Sequence, residues 1–437
     1  MSYFAIAIAW LVLGELLMTI GFGFPAAAAE APDTLVVVHI VCIGWLSMAM
    51  CGALFQFVPV LAAKPLFAEG WQLPALVLLT AGLVALLGGF MVLGGHLPVW
   101  LWLLPTAALL LVTGFGLVVT DLAITVWRAH APMGPAYFVI AGLCSLCATA
   151  GFGSAFAWSL AGIGRPDLSV LLKEGVPLHA IAGLGGWLTL TAMGVSYRLL
   201  SMFMLAPDVD NRRIRTTFLA GSATIGLVVA GGLLAIAAKT GIDLVLASAG
   251  GLGLITLALY GRNVVFLYWR RERAQLELNA KMAAWGFASL AAAVLLATVL
   301  AISGRFRAHV EAFAFLIAFG WLSGLVLAKL YKIVAFLTWI ETYGPALGRT
   351  ATPRVQDLVA EGRAAKWFGA YFISVWSGTA ALLLDQPSAF RIAAFAMTVA
   401  TVGIIQQLIR TRRLAEVAGP LRLPSGTHAP HLLYASV

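Results

Sequence analysis

Unbroken apolar segments recur along the 437-residue chain, and "PALVLLTAGLVALLGGFMVLG" is one of them. Such a segment is about 20 residues long, the length that a helix needs to cross the hydrocarbon core of a bilayer. A transmembrane β-barrel would instead show segments of about ten residues with alternating polarity. Only 10% of the residues are charged, against roughly 25% in soluble domains. The sequence therefore predicts an all-α integral membrane protein.

Twelve segments are predicted to span the membrane as helices. They form one polytopic domain over residues 1–437, of which residues 411–437 are a short cytoplasmic tail. The predicted spans are 3–24, 34–62, 72–94, 97–126, 136–163, 177–205, 216–238, 243–268, 282–303, 308–339, 367–385 and 388–409.

The basic residues indicate the orientation of the chain. The formal net charge is +9, and most of the 27 Lys and Arg residues fall in the loops after even-numbered segments and in the tail. Cytoplasmic loops carry such an excess, so both termini are expected in the cytoplasm. Topology accounts for the positive charge, and no nucleic-acid partner is expected. The first segment ends in "PAAAAEA", which resembles a signal-peptidase site, but its start lacks the positive charge of a signal peptide.

Three segments share a pattern around a Gly-Trp pair. The second contains "HIVCIGWLSMAMCGALFQF", the sixth "HAIAGLGGWLTLTAMGVSYR" and the tenth "AFLIAFGWLSGLVLAKLYK". When they are aligned on Trp45, Trp187 and Trp321, each pair is followed by leucine and then by serine or threonine. The intervals hold four segments each, which predicts three pseudo-symmetric four-helix units at roughly 1–130, 135–270 and 280–410. Internal repeats of this kind are common in membrane proteins.

This arrangement resembles the catalytic subunit of the haem-copper oxidase superfamily, and it looks closest to the cbb3-type branch. In that family, ligand helices carry a histidine followed by a Gly-aromatic pair, a glycine, a tyrosine and a proline. The second segment keeps that order from His39 to Pro59, with Phe55 at the tyrosine position. The sixth segment keeps the order from His179 to Tyr197 and then departs from it by lacking the proline.

The resemblance implies a low-spin haem on the second segment, where His39 lies, and a copper ligand on the sixth, where His179 lies. The family's seventh helix carries two more copper histidines, and the seventh segment here has none. The tenth segment is apolar where the family has two haem ligands, and His309 lies further back. We therefore expect a divergent relative without a copper centre, which is not a complete oxygen-reducing oxidase. The resemblance implies respiratory electron transfer or handling of a diatomic gas such as O2 or NO, in the bacterial inner membrane.

His39, His179 and His309 are the candidate cofactor-binding residues, because each lies near the predicted outer end of its segment. An ionisable side chain inside a membrane is costly unless it is paired or acts as a ligand. We predict that His39 and His179 are the axial ligands of the iron of one b-type haem, near the outer leaflet. No haem-attachment sequence C-x-x-C-H is present, so the haem would be held noncovalently. The alternative for each histidine is a neutral imidazole that hydrogen bonds to a neighbouring helix or lies at a solvated helix end.

Glu15 interrupts the first segment near mid-membrane and is a candidate proton or ion relay. It could instead be a neutral hydrogen-bonding group between helices. The repeats and Glu15 are compatible with a second class of function, a multi-pass transporter or metal permease. The missing copper ligands favour a third, a cofactor-free membrane partner. The lipid bilayer is the expected partner in every case, and respiratory redox proteins or a second copy of the chain are further candidates.

Two smaller interpretations concern cysteines and the remaining histidines. Cys144 and Cys147 form C-x-x-C within the fifth segment, and we interpret them as small residues at a close helix contact. His130, His428 and His431 fall on the predicted cytoplasmic side and are expected to be solvated.

Overall fold

The computed structural model describes residues 1–100, 102–129, 134–163 and 166–431, and these residues form helices and loops without any strand. Eleven of the helices are long and apolar enough to cross a membrane, so the chain is an all-helical membrane protein. They are α1 (Ser2–Ile20), α2 (Pro32–Ala62), α3 (Glu69–Leu93), α4 (Leu103–Trp127), α5 (Gly134–Leu160), α6 (Ser169–Met204), α7 (Asn211–Ala238), α8 (Asp243–Trp269), α9 (Leu278–Ile302), α10 (Val310–Ala346) and α12 (Pro387–Arg412). His130 lies outside the described residues.

One further long helix, α11, runs from Glu361 to Leu383 over the segment predicted at 367–385. Its 23 residues make it roughly 34 Å long at 1.5 Å per residue. Its first turns carry Glu361, Arg363 and Lys366, so its apolar part is shorter than that of the other helices. The number of twelve membrane spans therefore stays a prediction, while eleven candidate spans are found.

The helices group into two compact units. Unit 1 consists of residues 1–30 and 276–437, which include α1 and α9 to α12. Unit 2 consists of residues 31–275 and holds α2 to α8. The threefold repeat is a different division of the chain and stays a prediction.

Within unit 2, small residues let α5 and α6 lie very close together. A Cβ atom built on Gly186 would come 2.5 Å from the Cβ of Ser145, and one built on Gly194 would come 2.5 Å from the Cβ of Phe138. Close approach of this kind is typical of helix pairs in membranes, where packing rather than the hydrophobic effect holds helices together. The contact fixes α6 against α5 over the length that carries His179.

The Gly-Trp pairs of α2, α6 and α10 all lie in π-helical segments. These segments are Ile40–Ser47, Ile181–Leu190 and Leu316–Ser323. In two of them the closing serine donates a hydrogen bond to the carbonyl five residues earlier, at 2.7 Å for Ser47 and 2.7 Å for Ser323. The π-helix is rare and frequently occurs at functional sites, so the three aligned helices share an unusual local backbone.

The residues after α12 fold back on unit 1. The hydroxyl of Tyr343 donates to the carbonyl of Arg422 at 2.8 Å. Glu416 accepts hydrogen bonds from Arg363 at 2.9 Å and from Arg410 at 2.8 Å. The predicted tail is thus attached to the helices by defined contacts as far as residue 431.

Candidate functional site

His39 lies in α2, immediately before the π-helical segment that begins at Ile40. Its Nδ1 is 2.8 Å from the carbonyl oxygen of Leu35, one turn earlier in the same helix. The ring of Phe90, on α3, lies beside the imidazole with a centroid distance of 5.1 Å. His39 is partly buried, and these two contacts fix the direction of its ring.

His179 lies in α6, two residues before the π-helical segment that begins at Ile181. Its Nδ1 is 3.1 Å from the carbonyl oxygen of Thr149 on α5. A Cβ atom built on Gly153 would come 3.3 Å from the Cε1 of His179, so the glycine leaves room for the imidazole. Phe156 flanks the ring at a centroid distance of 5.5 Å. Helix α5 therefore positions His179 through a carbonyl, a glycine and an aromatic ring.

The two histidines that the sequence singled out lie together in unit 2. Their ring centroids are 6.4 Å apart, and the ring planes differ by 30°. A metal bound by two imidazoles gives a centroid separation of about 6 Å, from two metal–nitrogen bonds of about 2.0 Å and about 1.1 Å from each nitrogen to its ring centre. The observed separation matches that spacing. It is too long for a direct hydrogen bond between the two rings, and it also lies within the range of a loosely stacked ring pair.

The hydrogen bonds of the pair set its chemistry. A carbonyl oxygen can only accept, so each Nδ1 must carry the proton that it shares with Leu35 or Thr149. Each Nε2 then keeps its lone pair and is the nitrogen that can bind a metal. A metal-bound histidine very often donates its other N–H to a carbonyl in this way, which fixes both its tautomer and its orientation.

A hydrogen bond between the two π-helical segments connects α2 with α6 beyond the histidines. The indole Nε1 of Trp187 donates to the Oγ of Ser47 at 3.0 Å, and that hydroxyl donates onward to the carbonyl of Cys42 at 2.7 Å. Trp187 and Ser47 are both buried. Sequence alignment marked the small hydroxyl at position 47 but did not identify its partner. The carbonyl partners of the histidines have no residue-type signature, and the sequence could not have indicated them.

The remaining histidines lie elsewhere. His309 immediately precedes α10 in unit 1 and is 7% exposed, and its role as a cofactor-binding residue stays a prediction. His96 is exposed and its Nε2 lies 2.9 Å from Asp33. His428 and His431 are exposed, as expected for solvated side chains.

The cysteines do not extend the histidine site. No group of three or more His, Cys, Asp or Glu side chains that could hold a metal ion is found in the described parts of the chain. Cys42, three residues after His39, is a free thiol. Cys144 and Cys147 are exposed free thiols, so the interpretation that they serve a close helix contact is wrong.

A cavity of about 670 Å³ lies at the other end of α6, lined by Tyr197, Arg198 and Asp208 among others. Tyr197 follows His179 by 18 residues, roughly 27 Å along the helix. The cavity is therefore separate from the histidine pair.

Glu15 is fully buried in unit 1, as the sequence predicted from its place in the first segment. Its Oε1 accepts a hydrogen bond from the hydroxyl of Thr401 on α12 at 2.9 Å. The Oε2 of Glu15 accepts no hydrogen bond from any residue that the structure describes. A buried carboxyl group thus has one of its two oxygens unsatisfied.

No protein-family model matches the chain, and no curated protein sequence matches it.

Proposed function

We propose that unit 2 binds one b-type haem through His39 and His179. The observation that carries the proposal is the pair itself, two imidazoles at a centroid distance of 6.4 Å with each Nδ1 bound to a carbonyl. The two side chains come from different helices, separated by 140 residues of chain. Their tautomers leave both Nε2 atoms free to ligate.

The size of the ligand set favours haem over a bare metal ion. Structural and catalytic zinc sites use three or four protein ligands, whereas the described residues around the pair supply two. A haem iron takes four nitrogens from the porphyrin and needs only axial ligands from the protein. Two imidazoles complete its coordination, so the bound iron would be low-spin and would carry electrons without an open position for a substrate. Phe90 and Phe156 would border the imidazoles with apolar surface.

The function proposed for the protein is therefore respiratory electron transfer in the bacterial inner membrane, with both termini in the cytoplasm. Handling of a diatomic gas, which the resemblance also implies, would require one imidazole to leave the iron. The resemblance of the Gly-Trp helices to haem-copper oxidases supports it, as do their shared π-helical segments. The protein supplies the axial ligands and a low-dielectric site, and the haem supplies the redox chemistry. Redox proteins of the same membrane or a second copy of the chain are the proposed partners.

The first test is a reduced-minus-oxidised optical spectrum of the purified protein, expressed with ample haem supply, together with a pyridine haemochrome assay. We expect one b-type haem per chain and the electron paramagnetic resonance signal of low-spin bis-imidazole iron. His39→Ala and His179→Ala should each lose the low-spin signal. Added imidazole should restore it in His39→Gly, because the free base can occupy the vacated ligand position.

His96→Ala is the matched control, since His96 is exposed and bonds to Asp33 rather than to His39 or His179. It should keep the full haem content. Absence of haem from wild-type protein, or equal loss of haem in the control, would refute the proposal. Retention of the low-spin signal in both ligand variants would show that other residues hold the iron.

A further inference from the structure

A column of polar groups leads from Glu15 to one end of unit 1. Thr401 donates to the Oε1 of Glu15, and one turn nearer that end the hydroxyls of Thr19 and Thr398 lie 3.4 Å apart. Each of these two hydroxyls also donates to a carbonyl of its own helix, that of Glu15 or Ala394, at 2.9 Å. The Nε of Arg391, which is exposed, then donates to the carbonyl of Thr19 at 3.1 Å. Each step crosses the contact between α1 and α12. Thr19 lies four residues from Glu15, roughly 6 Å along the helix axis.

Next to Glu15 on its other side the same contact is apolar, and buried polar side chains return further along α12 at Gln407 and Thr411. Ala7 and Leu11 continue the buried face of α1, and Ile404 and Leu408 continue that of α12. Hydroxyl groups can pass a proton or hold a water molecule, and aliphatic side chains can do neither. The contact between α1 and α12 therefore gives Glu15 polar neighbours toward the end where α1 finishes and an apolar layer directly on its opposite side.

Along α1 and α12, the positions of charged residues that could hold Glu15 as an anion are distant from it. Glu15 is the only charged residue of α1. On α12, the backbone of Arg391 lies ten residues before Thr401, and Arg410 and Arg412 lie nine and eleven residues after it, roughly 13 Å or more along the axis. The guanidinium of Arg391 is bonded to the carbonyl of Thr19, one turn from Glu15. On α11 the titratable group that interacts with Glu15 is the hydroxyl of Tyr371, which donates to the carbonyl of Phe319 at 2.9 Å.

The other charged residues of these helices lie toward the ends of α10 and α11, apart from Lys329 and Lys332 near the middle of α10. They are Glu361, Arg363 and Lys366 on α11, and Glu311, Lys329, Lys332 and Glu341 on α10. An unpaired carboxylate buried in a membrane protein costs several kcal/mol, and the neutral acid avoids this cost. Protonated Glu15 can accept from Thr401 through one oxygen and present an O–H group through the other.

The donor set also distinguishes a proton from a metal cation. Hard cations take about six or more oxygen ligands. The side-chain oxygens brought together at Glu15 are its own two and that of Thr401, which is too few. A proton needs only one oxygen atom to bind it.

We propose that Glu15 is a proton-exchange site that opens through the Thr19–Thr398 hydroxyls to the end of unit 1 where α1 finishes. In one exchange, a proton from water at that end forms the new O–H bond on the carboxyl group, while the resident proton leaves to water by the same route. The group stays neutral before and after the exchange. This activity belongs to unit 1 and does not depend on the haem proposed for unit 2.

The test is infrared spectroscopy of the full-length protein in detergent, following the carbonyl stretch of protonated carboxylic acids during transfer from H2O to D2O. Wild-type protein should show a band that shifts in D2O and is missing in Glu15→Gln. Replacing the relay hydroxyl in Thr398→Val should slow the shift by about tenfold or more, the effect of a small rise in the barrier. Thr113→Val is the matched control, because exposed Thr113 makes the same kind of bond to its own helix, to Leu109 at 2.7 Å, far along the chain from Glu15.

Three results would overturn the proposal: a wild-type spectrum without a band that depends on Glu15, a band that never exchanges, or equal slowing in the two threonine variants. Loss of the band on adding NaCl, but not choline chloride, would show a sodium site instead. If Glu15→Gln fails to fold, labelling of wild-type protein with dicyclohexylcarbodiimide replaces it. The reagent attacks protonated carboxyl groups in apolar surroundings, and mass spectrometry should find it on the peptide that contains Glu15. Absence of the label there would refute a protonated Glu15.

The haem and proton experiments fail independently. His39→Ala should keep the Glu15 band, and Glu15→Gln should keep the haem spectrum.

Discussion

The hydrogen bond from Trp187 to Ser47 should stabilise unit 2 and also hold its two histidine helices in register. It joins the buried faces of α2 and α6 at 3.0 Å. In Ser47→Ala, the indole N–H stays buried without its acceptor, and the carbonyl of Cys42 loses the bond that it accepts from Ser47. In Trp187→Phe the donor is gone, and Ser47 can still bond to Cys42. The cost of Ser47→Ala should therefore depend on the residue at position 187.

The magnitude of this coupling between positions 47 and 187 follows from the burial of the hydrogen bond. Double-mutant cycles on hydrogen bonds between membrane helices average about 0.6 kcal/mol and reach about 1.7 kcal/mol. Trp187 is 2% exposed and Ser47 is 4% exposed, and a buried unsatisfied donor costs about 1–3 kcal/mol. We therefore expect the upper part of that range, a coupling free energy of about 1 to 1.5 kcal/mol. Ser47→Ala should cost more by this amount in the wild-type background than in Trp187→Phe.

The measurement is unfolding by sodium dodecyl sulfate in mixed micelles for wild type, the two single variants and the double variant, followed in each by haem titration. Because the bond joins the two helices that carry the ligand pair, haem affinity should fall in both single variants. Additive unfolding free energies would refute the reasoning, since additivity means that the two side chains do not interact. Loss of stability without any change in haem affinity would refute the link to ligand register.

Unit 1 offers a matched control. The indole Nε1 of Trp376, on α11, donates to the Oγ of Ser289, on α9, at 3.0 Å. The same cycle with Trp376→Phe and Ser289→Ala should change the stability of the protein and leave haem affinity unchanged, because neither residue belongs to unit 2.

Three further predictions concern packing and charge. Gly194→Ala should lower the unfolding free energy by about 1–3 kcal/mol, because the new Cβ would lie 2.8 Å from a backbone carbonyl oxygen of α5. Gly151→Ala should not lower it, because a Cβ at position 151 would meet no atom within 4 Å. Arg412→Met should lower the unfolding free energy by about 3–5 kcal/mol, because Glu341, the partner of Arg412 at 2.7 Å, stays buried without a cation. Adding Glu341→Gln should recover most of that loss in the same assay. Partial burial alone would raise the pKa of Glu416, but hydrogen bonds from its two arginine partners hold that pKa below its usual range. The ionised form of Glu416 therefore stabilises the folded protein above the ordinary glutamate pKa of about 4.3, and this stabilisation is lost as pH falls through the lowered pKa. Glu416→Gln should make thermal stability less sensitive to acid between these two pKa values.

Hydropathy predicted the helices well where the chain is apolar and less well where polar residues begin or end them. Helix α7 starts at Asn211, five residues before the predicted span, because the side chain of Asp210 caps it by accepting from the backbone N–H of Arg212 at 3.2 Å. Helix α11 starts at Glu361, whose carboxylate also accepts from the backbone N–H of Leu278 at 2.9 Å. Such turns are helical because of capping and tertiary contacts, which an apolar window does not detect.

The site shows a second limit. Histidines at the same end of two helices could be recognised from the sequence, because an ionisable side chain in an apolar segment is unusual. Their distance and tautomers could not, because they depend on the carbonyls of Leu35 and Thr149 and on a π-helical backbone. Every residue carries a backbone carbonyl, and a π-helix has no characteristic amino-acid composition by which it could be recognised in the sequence. The predicted pairing thus rested on the family resemblance and on the position of both histidines at the outer ends of their segments.

The register of α2 and α6 explains how the two imidazoles can meet. Alignment on the tryptophans places His39 six residues before Trp45 and His179 eight residues before Trp187, which would offset the imidazoles by two residues, roughly 3 Å. The hydrogen bond instead pairs Trp187 with Ser47. Ser47 follows His39 by eight residues, just as Trp187 follows His179. Since two even-numbered helices run in the same direction through the membrane, this bond brings both histidines to the same depth, which two axial ligands of one iron require.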